Sequence, residues 1–468
     1  MKIRTTLFLL LSVGVFYMLS TMSSSCAQIG VPTGGVRDSL PPTLLKATPP
    51  NNSIKFEGKQ ITLSFDEYIQ LQNLQENLLV SPTPIINPNI DFKLKTITIK
   101  LRDTLQPNTT YSLQLGKSIV DLNENNPYPN FTYVFSTGTY IDSLTFSGNV
   151  QLAESGKIDT TLLVLLYNDL SDSAVFKHKP KYITRVNNKG DFQFNNLAKD
   201  TYHLFAIKDE SGQKMYTSEE QTFAFADSPV VVSFVVTKAQ LYAYAEKKKE
   251  QKPTTGSGDK KEKILKYTTS ISNGTQDILT PLIIKFITPL KNFDSSKIKL
   301  TDTLFTTLPS SRIYLDTTFK EVTVQHSWEG SGYYKLILDT AFATDTFGLK
   351  LAKMDTISFR AKKESDYGSL KLNFKNLEKF EHPVLQFIGN GQVVKSIPLT
   401  SKTIVQKLFD PGEYDMRILD DTNQNGVWDP GHYDPVNKAL QKQPEKVFSI
   451  SQLLKVRANW DNDVDVVL

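Results

Sequence analysis

Apolar and polar residues alternate in short runs along most of the chain. Ile61-Thr-Leu-Ser-Phe65, Phe92-Lys-Leu-Lys-Thr-Ile-Thr-Ile-Lys-Leu101, Tyr111-Ser-Leu-Gln-Leu115 and Phe131-Thr-Tyr-Val-Phe135 have this pattern. Each puts every second side chain on one apolar face, which predicts half-buried strands. Turn formers such as Gln106-Pro-Asn-Thr109 separate the runs, and short strands at this spacing predict an antiparallel sandwich. A second block starts near Leu144. Phe146–Val150, Leu162–Tyr167 and Tyr182–Val186 read as strands, and Asn187-Asn-Lys-Gly190 reads as a hairpin turn into Asp191–Phe194. Tyr202–Ile207 follows, and Val230–Val236 is expected to close the block.

The pattern then stops and restarts. Between residues 243 and 266, Glu246-Lys-Lys-Lys-Glu-Gln-Lys-Pro-Thr-Thr-Gly-Ser-Gly-Asp-Lys-Lys-Glu-Lys263 has no large apolar side chain, so it reads as a charged, protease-sensitive linker that cannot offset its own ordering entropy. Beyond it the first block recurs. Phe65 corresponds to Phe286, Tyr111, Leu113 and Leu115 to Tyr334, Leu336 and Leu338, and Phe135 to Phe359. The second block recurs too, with Tyr202 to Asp209 and Tyr414 to Asp421 equally spaced. The expected fold is all-β, with tandem antiparallel β-sandwiches in an A-B-A′-B′ order. The expected boundaries are 43–139 and 267–363 for the A-type sandwiches, and 143–240 and 367–468 for the B-type ones.

Composition adds a cellular address. The 468 residues carry 53 Lys+Arg against 49 Asp+Glu, a net charge of +4. So even a balance gives no electrostatic case for a nucleic-acid partner. The one cysteine, Cys26, rules out intramolecular disulfides. It follows Lys2, Arg4, the apolar run Leu7–Leu19 and the small residues Ser23-Ser-Ser25. The run is shorter than the roughly 20 residues a membrane span needs and suits a secretory signal. Residues 1–25 are therefore expected to be a signal peptide, and 26–42, rich in turn formers, a tether. A cysteine placed directly after the small residues resembles the bacterial lipobox, which implies a lipid on Cys26, although Ser23 stands where that motif usually has Leu. Acyl chains hold a protein to a membrane surface with about 0.8 kcal/mol per buried CH₂.

Several stretches carry a family resemblance. Ile61-Thr-Leu-Ser-Phe-Asp-Glu67, Leu105-Gln-Pro-Asn-Thr-Thr-Tyr111, Asp121-Leu-Asn-Glu-Asn125 and Phe135-Ser-Thr-Gly138 resemble the SbsA-type bacterial Ig-like domain. Residues 267–363 look like a diverged copy. The B-type blocks resemble prealbumin-like, carboxypeptidase-regulatory-type sandwiches. The layout, with Gly34-Gly-Val-Arg-Asp-Ser-Leu-Pro-Pro42 after the cysteine, resembles a lipoprotein group of the Bacteroidetes. The resemblance implies extracytoplasmic modules and supplies no activity. No acidic cluster follows Cys26. In that group such a cluster accompanies surface display, so the resemblance implies a periplasm-facing protein.

Catalytic signatures do not emerge. His178, His203, His326, His382 and His432 are scattered without metal-ligand spacing, and no nucleophile elbow or phosphate-binding glycine loop is present. Gly389-Asn-Gly391 reads as a hairpin turn. One cluster does suggest chemistry. Asp421, Asn423 and Asn425, followed by Gly426 and then Asp429, imitate the start of a Ca²⁺ loop. The position twelve along is His432, where an EF-hand needs a bidentate Glu. The alternative is an Asx-turn loop that satisfies its own backbone. Trp428 aligns with Tyr216, either as a carbohydrate platform or as the plug of a sandwich. The expectation is a non-enzymatic outer-membrane lipoprotein that binds or spaces envelope proteins or polysaccharide. The second reading is a surface adhesin or glycan-binding module.

Overall fold

The computed structural model describes residues 38–235, 237–247 and 264–468, together with Val13 and Gly14. Cys26, nearly all of the signal-like segment, most of the tether and residues 248–263 of the charged stretch lie outside the described residues. The chain forms two compact units, one comprising residues up to Val80 and Pro84–Ile141, the other Ser81–Thr83 and Asp142–Leu468.

The first unit is a sandwich. Strands β1 (Leu44–Thr48), β2 (Gln60–Phe65), β3 (Ile69–Leu71), β4 (Leu79–Ser81), β5 (Asn89–Lys93), β6 (Thr96–Lys100), β7 (Thr110–Gly116), β8 (Ile119–Asp121) and β9 (Phe131–Ser136) make sheets β1-β2-β6-β5, β4-β7-β9 and β3-β8. Alternation decides the inner face: Ile61, Leu63, Ile97, Ile99, Leu113, Leu115 and Phe135 are fully buried in one cluster. The run Phe92–Leu101, expected as one strand, is instead a hairpin. Its turn is Leu94-Lys95, with Leu94 at φ 53 and Lys93 paired with Thr96. A two-residue turn preserves the alternation on both arms, so the pattern conceals it.

The second unit opens with a B-type sandwich. Its strands are β10 (Leu144–Leu152), β11 (Leu162–Tyr167), β12 (Tyr182–Arg185), β13 (Asp191–Leu197), β14 (Asp200–Lys208), β15 (Phe223–Phe225), β16 (Val230–Val232) and β17 (Lys238–Ala243). The sheets are β13-β10-β17 and β12-β11-β14-β15, with β16 also on β14. Asn187 and Gly190 form the expected hairpin turn, Gly190 at φ 84. The strand expected to close the block ends at Val232, and β17, parallel to β10, closes it. Leu241, Ala243 and Tyr244 are buried in this sandwich, and Leu265 is buried in the next. Residues 243, 244 and 265, inside the expected linker bounds of 243–266, therefore belong to the sandwiches on either side, because these sparse apolar residues complete two cores.

The A-type topology then returns. β18 (Tyr267–Thr269), β19 (Thr275–Gln276), β20 (Leu282–Phe286), β21 (Leu290–Phe293), β22 (Ile298–Thr301), β23 (Arg312–Leu315), β24 (Glu321–Gln325), β25 (Tyr333–Leu338), β26 (Ala343–Asp345) and β27 (Asp355–Ala361) form sheets β18-β20-β24-β23, β19-β27-β25-β22 and β21-β26. Apart from β19, an added short edge strand parallel to β27, this is the strand order of the first sandwich. Tyr111 and Tyr334 fill the same corner, each hydroxyl accepting a backbone N–H five residues upstream, from Gln106 at 2.7 Å and Glu329 at 2.9 Å.

The last sandwich repeats the B type with β28 (Gly368–Lys375), β29 (Pro383–Gly389), β30 (Gln392–Pro398), β31 (Thr403–Phe409), β32 (Gly412–Asp420), β33 (Lys446–Val456) and β34 (Asp461–Val467). Its sheets are β31-β28-β34 and β30-β29-β32-β33, with β34 parallel to β28 as β17 is to β10. Tyr202 and Tyr414 donate to carbonyls four residues upstream, Ala198 at 2.9 Å and Asp410 at 3.0 Å. Asn390 and Gly391, at φ 50 and 77, make the expected turn between β29 and β30. Tyr367 fastens this sandwich to the preceding one, its hydroxyl donating to Asp277 Oδ1 at 2.7 Å.

Candidate functional site

The acidic loop leaves β32 at Asp421, which is 1% exposed. Its Oδ2 accepts Gly426 N–H at 2.6 Å and its Oδ1 accepts Asn425 N–H at 3.2 Å. The asparagine oxygens close their own turns: Asn423 Oδ1 accepts Asn425 N–H at 3.1 Å, and Asn425 Oδ1 accepts Val427 N–H at 2.7 Å. Both asparagine amides donate to Asp429 Oδ2. Behind the loop stands the buried Glu445. Its Oε1 accepts Thr422 N–H at 2.9 Å, its Oε2 accepts Asp429 N–H at 3.0 Å, and its carbonyl takes Trp428 Nε1–H at 2.9 Å. Asp421, Asn423, Asn425 and Asp429 are thus brought together, as the sequence expects, with their oxygens engaged by N–H groups of the loop. An ion here would have to replace those bonds. Equivalent aspartates cap the A-type sandwiches: Asp121 accepts N–H groups of Glu124, Asn125 and Asn126, and Asp345 those of Phe347 and Leu349.

The rest of this long loop docks on the first B-type sandwich. Tyr433, 5% exposed, enters an aromatic cluster, its ring 4.8 Å from Phe225, 5.2 Å from Phe223 and 5.8 Å from Phe205. Its hydroxyl donates to the Asp172 carbonyl at 3.0 Å. Burial pushes the Tyr216, Tyr244 and Tyr433 hydroxyls well above their ordinary range, so the cluster is uncharged. A Cβ on Gly431 would lie 2.5 Å from the Tyr244 ring and 2.7 Å from the Lys442 carbonyl, a space that only glycine fits. Polar contacts surround this apolar plug. Gln443 Nε2 donates to the Phe225 carbonyl at 3.0 Å and to Asp227 at 2.8 Å, and His432 Nδ1 lies 2.5 Å from Glu246 Oε1.

Beside the plug, the outer face of the sheet β30-β29-β32-β33 carries a polar row. Ser396, Gln386, Arg417 and Ser449 are paired neighbours across its four strands. Gln386 is 2% and Arg417 8% exposed. Arg417 Nε donates to Gln386 Oε1 at 2.8 Å, and its Nη1 donates to the Glu154 carbonyl of the other B-type sandwich. Burial pulls the Arg417 pKa below its ordinary value, opposed by the nearby Glu154. Ser396, Gln386 and Arg417 of this row line a cleft of about 830 Å³, together with Val427, Trp428 and Pro430 of the acidic loop and with Glu154, Ser155 and Glu246. Trp428 is half-buried and packs on Val384, Leu419 and Val447. It is thus a plug on its inner side and a cleft wall on its outer one.

The histidines stay apart. Ser310 Oγ lies 3.4 Å from His326 Nδ1, but that ring packs edge-on against Trp328 and Tyr334 at 5.0 and 5.6 Å. Among the described residues, no group of three His, Cys, Asp or Glu side chains has metal-binding geometry, and no helix is long and apolar enough to cross a membrane. Sequence reasoning did not find Arg417, Gln386, Glu445 or Tyr433. Arg417 alone left a trace, a charge inside the apolar run Met416–Leu419 of an inner strand.

Residues 38–137 match the family described as the bacterial Ig-like domain. The first sandwich is therefore a bacterial Ig-like domain. No curated protein matches the chain. Among solved structures, the chain is similar to the TIE protein of Bacillus anthracis, with 10% identity over 93% of this chain and 75% of that one and a TM-score of 0.16. It is also similar to BcpA, the major pilin subunit of Bacillus cereus, with 9% identity over 69% and 99% and a TM-score of 0.17. A third is surface layer protein SbsC, domains 1–6, with 10% identity over 83% and 66% and a TM-score of 0.16. TM-scores this low establish no shared overall arrangement, and the Ig-like assignment rests on the family match.

Proposed function

We propose that the protein is a lipid-anchored, non-catalytic component of the bacterial cell envelope, facing the periplasm from the outer membrane and binding or spacing other envelope components. The observation that carries this reading is Cys26. The chain's one thiol stands after a basic start, an apolar run and small residues, in front of an all-β chain whose first sandwich is a bacterial Ig-like domain. A non-catalytic role is supported by how the most polar loop spends its side chains, which cap backbone N–H groups of the loop itself.

Fractionation of cells carrying the wild-type chain and Cys26→Ala tests the anchor. The wild type should follow the outer membrane into detergent, and Cys26→Ala should remain an uncleaved precursor or appear in the soluble fraction. Unchanged outer-membrane partitioning of Cys26→Ala would overturn the proposal. Protease added to intact cells reads the face: protection is expected, and digestion would place the protein on the surface as an adhesin or glycan-binding module.

A further inference from the structure

We propose that the end of the first sandwich at which the chain enters rests on a zwitterionic lipid surface, with Leu40, Tyr68, Leu94 and Leu122 as the side chains that enter it. The inference rests on the Cys26 anchor and adds a contact surface to it. Three loops are bonded to one another at this end. Ile69 N–H donates to the Leu94 carbonyl at 3.0 Å, and Leu122 N–H donates to the Tyr68 carbonyl at 3.0 Å. The entering segment joins them: the Asp38 carbonyl accepts Asn126 Nδ2–H at 3.1 Å, and Asp66 Oδ1 accepts Thr43 N–H at 2.7 Å. Leu40 and Leu94 are 71% and 64% exposed, and Tyr68 and Leu122 each 49%. Single exposed leucines are ordinary, but four large apolar side chains on bonded loops at one tip mark a contact surface.

The course of the chain indicates what covers this tip. The twelve residues Cys26–Arg37 span at most roughly 40 Å, so a lipid on Cys26 holds the bilayer within that distance of Asp38. The chain leaves the sandwich at the opposite end, where Thr137 N–H donates to the Thr109 carbonyl at 3.1 Å and Lys55 N–H to the Gly138 carbonyl at 2.8 Å. Anchorage makes a further contact intramolecular, so a few apolar side chains suffice where they could not hold a free protein. The tip also has headgroup chemistry. Lys95 Nζ lies 5.5 Å from the centre of the Tyr68 ring and donates to the Asp66 carbonyl at 2.6 Å, a long-stemmed cation beside an amphipathic ring, both suited to a membrane interface. Charge selects the lipid. Burial and the neighbouring carboxylates of Asp121, Asp66, Asp38 and Glu124 push the Glu67 pKa up. This acidic surround offsets Lys93 and Lys95 and leaves no attraction for an anionic surface.

A tether that does not depend on acylation tests this. The chain from position 26 onward, with Cys26→Ala and an amino-terminal hexahistidine tag, is held on vesicles of phosphatidylcholine and phosphatidylethanolamine that contain nickel-chelating lipid. Cys26 is the chain's one thiol, so Leu94→Cys in this background takes an environment-sensitive fluorophore at a single place. Lys59→Cys takes it at the opposite end, from an exposed position. Emission from position 94 should shift to the blue on the vesicles and be quenched by spin-labelled lipid, and emission from position 59 should do neither. Tyr68→Ser combined with Leu122→Ser should remove most of the quenching at 94. Phe347→Ser, an exposed change at the corresponding end of the third sandwich, should leave it unchanged. An unquenched probe at 94, equal quenching at 59, equal loss from Phe347→Ser, indifference to the paired serines, or quenching that requires added phosphatidylglycerol would each overturn the assignment. The tag holds the chain whether or not Cys26 is acylated, so failure here leaves the anchor to be judged by the Cys26 fractionation alone.

Discussion

At the scale of single residues, the recurring device is a buried carboxylate that closes a loop. Asp121 is 2% exposed and accepts three backbone N–H groups. Burial pushes its pKa up, but the N–H groups of Asn126, Glu124 and Asn125 outweigh burial and leave it below the usual value. A lowered folded-state pKa contributes stability that is present above the unfolded value, near 3.9, and lost as pH falls through the folded one. Asp121→Ala should therefore cost about 1–3 kcal/mol at neutral pH by leaving donors unsatisfied, and the gap to wild type should narrow below about pH 4. Denaturant unfolding at pH 7 and pH 3 checks it; an unchanged gap would mean the carboxylate charge is not what the loop uses. The Asp421 cluster was legible for the same reason, since Asp-x-Asn-x-Asn-Gly is local chemistry. Its partner Glu445 was not, because nothing near position 445 marks which of the chain's acids turns inward.

At the scale of elements, alternation located most strands, but it could not separate the arms of the hairpin at Leu94-Lys95. Nor did it reveal β17, whose Lys-Ala-Gln-Leu-Tyr-Ala sequence has little apolar contrast and is fixed by parallel pairing with β10. The loop between β32 and β33 joins both kinds of information. Its first half is a self-capped turn, readable from sequence, and its second half is a plug whose contacts lie far away in the chain, as with Tyr433 and Asp172. With the loop oxygens already engaged, thermal melting of the full chain should be the same in millimolar Ca²⁺ and in chelator. A rise of several degrees with Ca²⁺, absent in Asp421→Ala, would show instead that the ligand series opens to take the ion.

At the scale of the molecule, the A-B-A′-B′ order was legible because equal spacings such as Tyr202–Asp209 and Tyr414–Asp421 reflect equal strand orders. The docking of the two B-type sandwiches was not, because it depends on two surfaces meeting, and no local pattern encodes that. It has a direct consequence for the charged stretch. Cutting the chain between residues 248 and 263 should give fragments that still elute together, held by Tyr433 in its aromatic pocket and by the Gln443 and Arg417 contacts. Tyr433→Ala should let the cut halves separate at lower denaturant. Immediate separation of the wild-type halves would mean the plug contributes little.

The central claim, anchorage through Cys26, is tested most directly by mass spectrometry of the protein purified from membranes. Trypsin should release Cys26-Ala-Gln-Ile-Gly-Val-Pro-Thr-Gly-Gly-Val-Arg37 as the amino-terminal peptide, with Cys26 carrying the added mass of diacylglycerol. An unmodified Cys26 inside a longer peptide, or a mature chain beginning after it, would contradict the account.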